Sequence, residues 1–294
     1  MKRVRKCVIP AAGLGTRLLP ATKSQPKEMV PVGRKPVIQY VVEEAIRAGL
    51  NEILIITGAK KRSIEDHFDY DHVLEEELKK KGRENPLSQD TNLFEREDVQ
   101  LLFTRQAKPT GLADAVSLAE VFVDGEPFVV SLGDNIVLSP NGGHFLSSLI
   151  EMHLEKGAIA SLALEKVPFD QVIRYGIVDA VLEGNRCRIR DLVEKPSPSA
   201  APSNMAIIGR YVFNPDIFQA ISSTPVGVDG EKQLTDAIKI LTEKNLPVWG
   251  HLLTDDHLIH DIGTPYTYAL AFIDMCLRDQ EMGPKLREHL KEII

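Results

Sequence analysis

A short glycine-containing segment followed by basic residues carries the strongest indication of chemistry in this sequence. Residues 10–17 read PAAGLGTR and directly follow the first apolar run of the chain. Small residues let a backbone approach a ligand closely, and successive amide N–H groups in such a turn can bind an anion. Arg17, Lys23 and Lys27 all lie within fourteen residues of Gly13. The sequence therefore predicts a phosphate-binding loop at this point.

Two common nucleotide-binding motifs do not match this loop. The dinucleotide motif G-x-G-x-x-G needs a third glycine where Leu18 stands, and no G-x-x-x-x-G-K-[ST] occurs in the chain. Two glycines alone are typical of a plain tight turn. The prolines at positions 20, 26 and 31 indicate an extended loop in which the basic residues stay available to a ligand. A dehydrogenase and a Walker-type ATPase are disfavoured, and phosphate binding is favoured.

Charged residues at the ends of two predicted strands, and one further aspartate, are the other candidates. Asp134 follows a buried apolar run and adjoins a glycine, which favours a metal ligand, although an aspartate in a plain turn fits the same pattern. Asp261 has the sequence context of a helix N-cap as much as that of a ligand. Glu194 and Lys195 end a strand, because Pro196 cannot continue a hydrogen-bonded ladder, and such a pair is also typical of a solvated surface.

Other catalytic classes find no support. The eight histidines form no H-E-x-x-H motif, and no G-x-S-x-G motif occurs, so zinc-dependent and serine-dependent hydrolysis are not indicated. The three cysteines are far apart and include no C-x-x-C pair. We expect them to be reduced residues of a cytoplasmic protein.

The segment that begins at Gly13 resembles the signature of the sugar nucleotidyltransferase family. That signature runs G-x-G-T-R-L-x-P-x-T and continues with a lysine and with P-V. The chain reads GLGTRLLPAT over residues 13–22, followed by Lys27 and Pro31-Val32. Several longer segments are similar to the bacterial members that use UTP and glucose-1-phosphate: residues 23–29, 35–40, 64–69, 203–211 and 233–238. The resemblance extends from Val8 to about Asp274.

The resemblance implies a reaction as well as a fold. The phosphate oxygen of glucose-1-phosphate would attack the α-phosphorus of UTP in line, which gives UDP-glucose and pyrophosphate. Because that oxygen is already an anion, the protein needs no nucleophile or general base, and catalysis consists of alignment and charge neutralisation. The resemblance also implies a Rossmann-like α/β core, a Mg²⁺ cofactor and a homo-oligomer, either a homodimer or a homotetramer.

The resemblance assigns a role to each candidate residue. The catalytic side chains are expected to be those that neutralise phosphate charge: Arg17, Lys27 and Lys195. The nucleotide is expected to lie on small residues and on the residues that read its base: Ala11, Ala12, Gly13, Gly15, Thr16, Gln106 and Gly111. The sugar phosphate is expected to contact three residues: Gly176, Glu194 and Lys195. The Mg²⁺ is expected on Asp134 and Asp261.

Two segments depart from the uridylyltransferase pattern. Residues 113–116 read ADAV where Gly-His-Ala is usual, and Thr264-Pro265 replaces a polar residue and lysine. Both changes resemble thymidylyl- or guanylyltransferases, so a thymidylyltransferase acting on the same sugar phosphate is one alternative. We expect Asp114 to start a helix or to point away from the pocket. A catalytically silent regulatory paralogue is a second alternative, although the four charged residues Arg17, Lys27, Asp134 and Lys195 are intact.

The elements that must position these residues follow an α/β pattern. Strands are predicted at residues 7–9, 52–57, 99–104 and 127–132, with helices at 36–48, 60–68 and 111–121 between them. This alternation predicts a Rossmann-like, mostly parallel sheet covered by helices on both faces, with ligands bound beyond the carboxyl ends of its strands. Residues 69–98 interrupt the pattern and are interpreted as a solvated helix and surface insertion.

The second half is expected to be antiparallel. Residues 175–181 and 186–194 flank the turn sequence Glu183-Gly184-Asn185, which predicts a hairpin. Further strands are predicted at 205–213 and 248–252 and a helix at 233–243, before helices from Pro265 onwards. We therefore expect one α/β domain over residues 1–264, with a nucleotide-binding part at about 1–140, an antiparallel sugar-phosphate part at about 141–264, and a C-terminal helical segment at 265–294.

Composition excludes several other partners. The chain has 294 residues and a formal net charge of -7, which argues against a nucleic-acid binder. No stretch approaches about 18 consecutive apolar residues, so no membrane span is expected. The apolar run behind the basic N-terminus is too short for a signal peptide. A cytoplasmic enzyme that binds small polyanions in a local basic cluster is the prediction.

Overall fold

A nine-stranded mixed β-sheet runs through the part of the chain that the computed structural model describes, namely residues 3–82, 93, 96–139, 145–227 and 230–293. The described strands are β1 (Lys6–Pro10), β2 (Pro31–Val32), β3 (Lys35–Pro36), β4 (Glu52–Thr57), β5 (Gln100–Arg105), β6 (Phe128–Ser131), β7 (Asn135–Leu138), β8 (Ala160–Lys166), β9 (Gly176–Glu183), β10 (Arg186–Glu194), β11 (Met205–Phe213), β12 (Val248–Leu252) and β13 (Leu258–Asp261). Their order in the large sheet is β5-β4-β1-β6-β11-β8-β12-β10-β9. Two small sheets, β7 with β13 and β2 with β3, lie beside it.

The described helices alternate with the strands in the first half and close the chain at its end. They are α1 (Val37–Arg47), α2 (Arg62–Phe68), α3 (His72–Lys80), α4 (Leu112–Ser117), α5 (Glu120–Val123), α6 (Phe145–Glu155), α7 (Asp216–Ser223), α8 (Leu234–Glu243), α9 (Pro265–Arg278) and α10 (Met282–Ile293). Short 3₁₀ turns occur at Thr16–Leu18, Ala21–Lys23, Lys27–Met29 and Phe169–Arg174.

The sheet changes from parallel to mixed pairing at its middle. Strands β5, β4, β1 and β6 pair in parallel. Strand β11 joins β6 and β8 in antiparallel fashion, and β10 pairs antiparallel with both β12 and β9. The predicted combination of a parallel part and an antiparallel part in one α/β fold is confirmed.

Alternating side chains of the central strands bury the sheet on both faces. On β1, Val8 packs on one side among residues of α4, α7 and α8. Cys7 and Ile9 point to the other side, where they pack among residues of α1 and α6. Because successive side chains of a strand point to opposite faces, each strand contributes to two cores. The predicted covering of the sheet by helices on both faces is therefore present.

Most predicted elements lie within one or two residues of their observed bounds, but one predicted helix is divided and several observed elements were not predicted. The helix predicted over 111–121 is broken into α4 and α5. Strand β7 and its partner β13 were not predicted, and neither were α6, β8 and α7. The basic loop after Gly13 is extended between three 3₁₀ turns, as its prolines suggest. Part of the predicted insertion, including Asn85, Pro86 and Gln89, lies outside the described residues.

The C-terminal helices stay in contact with the loop side of the sheet. Helix α9 packs against β2 and β13 as well as α10. Its N-terminus is capped by Thr264, whose hydroxyl accepts a hydrogen bond from the Thr267 N–H at 3.2 Å. The departure Thr264-Pro265 thus forms the first turn of this helix, because proline is well suited to a position whose N–H has no helical partner. In the described part of the chain, no helix has the length and apolar character needed to cross a membrane.

Candidate active site

The glycine loop lies at the carboxyl end of β1, where the parallel fold predicts a ligand site. The Ala11 N–H donates to the Ile56 carbonyl at 2.8 Å, which ties the start of the loop to β4. Gly15 has a φ of 65°, a left-handed conformation that favours glycine. Its carbonyl accepts a hydrogen bond from the Thr22 hydroxyl at 2.7 Å. The loop therefore closes on itself and passes over the side chain of Lys27, which lies 3.8 Å from a Cβ placed on Gly13.

Lys27 forms an ion pair with Asp134, so two residues predicted independently are neighbours. Burial disfavours both charged forms, but the paired charges outweigh it. The pKa of the Lys27 ammonium is raised because the attraction of Asp134 and Glu28 exceeds the effect of burial. The pKa of the Asp134 carboxyl is lowered because the Lys27 charge overcomes burial. Both side chains are therefore charged at neutral pH.

A second ion pair, which sequence reasoning missed, lies beneath the first. The Lys61 ammonium donates to the Glu28 carboxylate at 2.6 Å, and both side chains are almost fully buried. Burial raises the pKa of the Glu28 carboxyl even though Lys61 and Lys27 oppose that rise. Glu28 lies next to Lys27 in sequence, but nothing in the chain's pattern pairs it with a residue of the β4–α2 loop. The buried pair anchors the segment that carries Lys27.

Asp134 and Asp261 are held side by side by the unpredicted β7–β13 sheet. Asp261 pairs in register with Asn135, and the Ile262 N–H donates to the Asp134 carbonyl at 2.9 Å. Burial and the neighbouring Asp134 charge raise the pKa of the Asp261 carboxyl. Arg174, which the sequence did not single out, donates to the Asp261 carboxylate at 3.0 Å. Two carboxylates thus face one cleft.

The donor set at this cleft fits a hard divalent cation that keeps several of its own ligands. Among the residues that the structure describes, no three His, Cys, Asp or Glu side chains are grouped to hold a metal ion. Asp134 and Asp261 provide two carboxylates in one cavity. Mg²⁺ is commonly bound by one or two carboxylates, with water and substrate phosphate as the other ligands. Burial and, after it, the Asp134 charge raise the pKa of the Asp261 carboxyl, and a bound cation would offset the repulsion between the two carboxylates.

A first cleft of about 210 Å³ lies between the glycine loop and the start of α4. Apolar side chains and two of the predicted base-reading positions line it: Ala12, Gly13, Gln106, Pro109, Gly111, Leu112, Ala115 and Leu132. Gln106 is buried at the carboxyl end of β5, where its backbone N–H donates to the Thr57 carbonyl at 2.9 Å. Four charged residues complete the lining, namely Lys27, Glu28, Asp134 and Glu231, so the cleft combines mainly apolar walls with charged groups, an arrangement that fits a flat base attached to a phosphate chain.

Gly111 adopts a conformation that only glycine fits at this position. Its φ is 111°, and a Cβ there would lie 2.4 Å from the Lys232 carbonyl oxygen. Two hydrogen bonds hold the Lys232 backbone in place. Its carbonyl accepts from the Ala113 N–H at 3.1 Å, and its N–H donates to the Thr110 carbonyl at 2.8 Å. The Gly111 N–H forms no hydrogen bond to any of the residues that the structure describes, which leaves it available to a ligand.

Asp114 was expected either to start a helix or to point away from the pocket, and the structure shows the first alternative. It lies in the first turn of α4, as predicted, but its carboxylate accepts a hydrogen bond from the Gln106 side-chain amide at 2.8 Å. The Thr110 hydroxyl donates to the same carboxylate oxygen at 2.6 Å. The Gln106 amide also donates to the Gly111 carbonyl at 3.2 Å. Asp114, which departs from the family pattern, therefore supports the Gln106 side chain that lines the first cleft.

A second cleft of about 300 Å³ contains the predicted sugar-phosphate residues. Glu194 lies opposite Gly176 across the β10–β9 pair, and the Thr235 hydroxyl donates to the Glu194 carboxylate at 2.7 Å. A Cβ on Gly176 would lie 3.0 Å from that hydroxyl and 3.1 Å from the Glu194 carboxylate, so glycine lets these two side chains pack directly against the β9 backbone. Lys195 has a φ of 45°, and its ammonium lies 3.3 Å from Glu194. Thr235 was not assigned a role from the sequence, although its segment was part of the resemblance.

A third cavity of about 340 Å³ joins the two clefts. Its lining consists mainly of the glycine loop and the charged residues: Gly13, Leu14, Gly15, Thr16, Arg17, Leu18, Lys27, Asp134, Glu231, Asp261 and Gly263. Asp134 lines all three spaces, and Arg17 lines both this cavity and the second cleft. The Arg17 side chain makes no ion pair with any described residue. A phosphate chain that spans the two clefts would pass these groups.

The structure thus brings together almost every predicted site residue. Ala11 is the exception, because it is buried behind the loop and does not line any of the three spaces. Its neighbour Ala12 lines the first cleft. Lys23, the third basic residue of the loop, is exposed outside them. The arrangement can hold a flat base, a phosphate chain and a polar ring in sequence around one pair of carboxylates.

Comparison with known proteins agrees with this arrangement. A profile of the Nucleotidyl transferase family matches residues 6–276. The UTP–glucose-1-phosphate uridylyltransferase of Bacillus subtilis (strain 168) is 43% identical over 287 residues, which cover 97% of this chain and 96% of that protein. A structure of UTP-bound UGPase from Acinetobacter baumannii superposes with a TM-score of 0.91 at 37% identity, covering 99% of this chain and 100% of the other. A UDP-glucose pyrophosphorylase complexed with UDP-glucose gives a TM-score of 0.84 at 35% identity, covering 94% and 100%.

Proposed function

Because the chain belongs to the Nucleotidyl transferase family, we propose that it transfers a uridylyl group from UTP to glucose-1-phosphate and releases pyrophosphate. The observation that carries this proposal is the meeting of two clefts at Asp134, one with apolar walls and one with polar walls. The uridylyltransferase of Bacillus subtilis at 43% identity and the UTP-bound and UDP-glucose-bound structures support the choice of substrates. They favour it over the thymidylyltransferase alternative.

In this proposal the base of UTP occupies the first cleft, between Ala12 and Gly111, which we call the base cleft. Uracil presents an N–H flanked by two carbonyl oxygens. The Gln106 side-chain oxygen accepts from that N–H, and the Gly111 N–H donates to a neighbouring carbonyl. The apolar walls exclude water from these bonds, which strengthens them. ATP and GTP are expected to be poor substrates because the two-ring purine is larger than the pyrimidine that this cleft is proposed to hold.

The phosphates lie along the glycine loop, where Arg17 and Lys27 neutralise them. Arg17 is exposed and carries a planar group that can bind two phosphate oxygens at once. Lys27 contacts Asp134 in the structure and reaches the same cavity as the loop. The two cations offset the charge that moves onto the departing pyrophosphate, which is the step at which charge stabilisation accelerates the reaction.

Glucose-1-phosphate occupies the second cleft, which we call the sugar cleft. Its phosphate lies towards Lys195 and its ring towards Glu194. The Glu194 carboxylate is fixed by Thr235 at 2.7 Å and accepts hydrogen bonds from the sugar hydroxyls. The ring lies beside Gly176, which lines the same cleft. Holding both anions in line supplies the alignment on which such a reaction depends.

We also propose that Mg²⁺ is the cofactor, held by Asp134 and Asp261. When bound, it supplies charge neutralisation of the phosphates as a Lewis acid. The two carboxylates that line one cavity of about 340 Å³ support this assignment. In the same proposal Arg174 remains with Asp261 and keeps that carboxylate oriented.

The proposal extends to assembly and compartment. Helix α9 exposes an apolar stripe at positions four and three residues apart, made of Tyr266, Leu270 and Ile273. Such a stripe supports self-association as a homodimer or homotetramer. The three cysteines are buried and unpaired, which supports a reducing cytoplasmic setting. Sedimentation velocity of the purified chain tests the assembly.

The experiment that tests the function is a pyrophosphate-release assay with Mg²⁺ and glucose-1-phosphate across UTP, dTTP, CTP, ATP and GTP. We expect UTP to give the highest kcat/KM. Uracil and thymine share one pairing edge, so dTTP is limited only by its methyl group and by the sugar, which allows selectivity of about 10–200-fold. Equal or better use of dTTP would make the enzyme a thymidylyltransferase, and no release with any nucleotide would indicate the silent paralogue.

A further inference from the structure

The orientation of the Gln106 side-chain amide is set by acceptors that lie outside the base cleft. The amide nitrogen of Gln106 donates to the Asp114 carboxylate at 2.8 Å and to the Gly111 carbonyl at 3.2 Å. A carboxylate and a carbonyl can only accept hydrogen bonds. Both N–H groups of the amide are therefore used, and the amide oxygen is left to face a ligand. This orientation follows from the chemistry of the two partners, neither of which can donate.

Rotation of the amide by half a turn would place its oxygen against two other acceptors. The Asp114 oxygen that receives the Gln106 bond also accepts from the Thr110 hydroxyl at 2.6 Å, so the carboxylate is held in place from the other side. Asp114 itself does not line the base cleft among the described residues. Its carboxylate therefore acts on a ligand through Gln106.

The fixed orientation distinguishes the two pyrimidines of RNA. Gln106 offers an acceptor and the adjacent Gly111 backbone offers a donor, which match the N3–H and a carbonyl oxygen of uracil. Cytosine carries an acceptor at N3 and an amino donor at C4, so the same pair would face it acceptor to acceptor and donor to donor. A Gln106 amide free to rotate would present its nitrogen to N3 and would remove one of these two mismatches with cytosine. Leaving buried polar groups mispaired is strongly unfavourable.

We propose that Asp114 is a positioning residue that locks the Gln106 amide and thereby makes the enzyme reject CTP. This inference rests on the proposed use of UTP, and it deepens that proposal by assigning the basis of base selection. It gives a physical reason for a carboxylate at the position where the chain departs from the uridylyltransferase pattern. Because uracil and thymine have the same pairing edge, Asp114 does not contribute to the choice between UTP and dTTP.

The test compares nucleotide preference in two variants of Asp114. Asp114→Asn keeps the size of the side chain but can turn its own amide to donate to a rotated Gln106. Asp114→Ala removes the acceptor altogether. We expect the ratio of kcat/KM for UTP to that for CTP to fall by about 10- to 100-fold in both variants, because CTP gains a matching amide. The ratio of UTP to dTTP stays at the wild-type value.

Two further variants separate positioning from general damage to the helix. Thr110→Val removes only the hydroxyl that holds Asp114 and gives a smaller fall in the UTP to CTP ratio. Ser117→Ala, in the same helix, removes a hydrogen bond to the Asp114 backbone carbonyl without touching its carboxylate, and leaves the ratio unchanged. Loss of structure would lower the rates for UTP, dTTP and CTP together and would not move either ratio.

Calorimetric titration of UTP and CTP without a sugar phosphate keeps this inference apart from the proposed function. If the wild type binds UTP in preference to CTP but does not convert glucose-1-phosphate, the proposed reaction fails and the role of Asp114 stands. If folded Asp114→Asn and Asp114→Ala retain the wild-type UTP to CTP ratio, the inference is overturned whatever the activity. Equal binding of UTP and CTP by the wild type would overturn it as well.

Discussion

At the scale of single residues, the candidate site is dominated by opposite charges in contact. Lys27 meets Asp134, Arg174 meets Asp261, and Lys195 meets Glu194. Each carboxylate holds a basic group in the cavity where phosphates are proposed to bind. A substrate phosphate competes for the cation, whereas the carboxylate is left to bind a sugar hydroxyl or a metal ion. Substitution of either partner is therefore expected to affect one substrate or the metal more than the others.

Lys195→Ala is expected to lower kcat/KM for glucose-1-phosphate by about 10²–10³, because one charge-stabilising donor is removed. UTP binding stays nearly unchanged, since Lys195 lines the sugar cleft and is not among the described residues of the base cleft. Steady-state kinetics with varied sugar phosphate and calorimetry with UTP measure the two effects. Lys239→Ala, which removes a surface ion pair with Asp191, is the matched control. Wild-type kinetics for the sugar phosphate would remove Lys195 from the site.

Asp134→Asn is expected to keep the fold and lose most Mg²⁺-dependent activity. The amide has almost the size of the carboxylate but lacks the charge that attracts a divalent cation and raises the pKa of Lys27. Activity measured over a Mg²⁺ titration, with thermal unfolding to verify the fold, checks this. Asp98→Asn, at an exposed aspartate paired with Arg96, serves as the control. An unchanged Mg²⁺ dependence would mean that the metal is held elsewhere.

At the scale of elements, the loop that carries Asp134 is attached to the sheet by one buried arginine. Arg210 of β11 is fully buried and donates to Glu44 of α1 at 2.7 and 2.9 Å. The same guanidinium donates to the Asn135 carbonyl at 2.7 Å. A helix, a strand and the loop after β6 therefore meet at one side chain. The left-handed Gly209 beside it lies at the point where the β11–β8 register shifts.

Arg210→Met is expected to destabilise the protein by about 3–5 kcal/mol, because Glu44 is left buried without its partner. Adding Glu44→Gln is expected to restore much of that stability but not the activity, since the Asn135 carbonyl stays without its donor. Urea unfolding and kcat/KM with UTP, measured on the single and double variants, separate the two effects. Recovery of full activity in the double variant would show that Arg210 only stabilises the fold and does not position Asp134.

At the scale of the whole molecule, several buried histidines make stability depend on pH. Burial lowers the pKa of His67, His251 and His260, and it lowers that of His153 from 6.5 to about 4. His153 lies between β8 and the start of α7, within 3.0 Å of the Ser161 hydroxyl and 3.4 Å of Asn214. The unfolded chain takes up a proton at His153 below about pH 6.5, whereas the folded protein does so only near pH 4. Acid therefore favours the unfolded chain.

Above pH 6.5, proton uptake by His153 is not expected to change the free energy of unfolding. As the pH decreases from 6.5 to about 4, that free energy is expected to fall. The loss from this residue is about 3 kcal/mol over that range. His153→Gln cannot be protonated and is expected to show a correspondingly flatter dependence, even if it is less stable at neutral pH. Urea unfolding at a series of pH values measures this. His289→Gln, at an exposed histidine, keeps the wild-type slope, and an equal slope in His153→Gln would contradict the prediction.

The sequence by itself determined the local features of this protein. Apolar runs and periodicity predicted β1, α1 and β4, and the turn sequence Glu183-Gly184-Asn185 predicted the β9–β10 hairpin, because both signals depend on neighbouring residues only. The glycine loop and its basic residues predicted phosphate binding, because the spacing of small and charged residues over one turn is itself a local property. Even the supporting residues were named there, since Asp114 and Thr264-Pro265 were noticed as departures.

Tertiary structure alone decided which of these residues meet. Strands β7 and β13 are four residues each and pair across more than a hundred residues, so no local pattern revealed the sheet that places Asp134 beside Asp261. The Glu28–Lys61 pair and the bond from Gln106 to Asp114 also depend on how loops close over the sheet. Charge and hydrogen-bond complementarity act through space over a few ångströms. A chain shows its residue types in order, but it brings distant carboxylates, amides and ammonium groups within that range only when the sheet has formed.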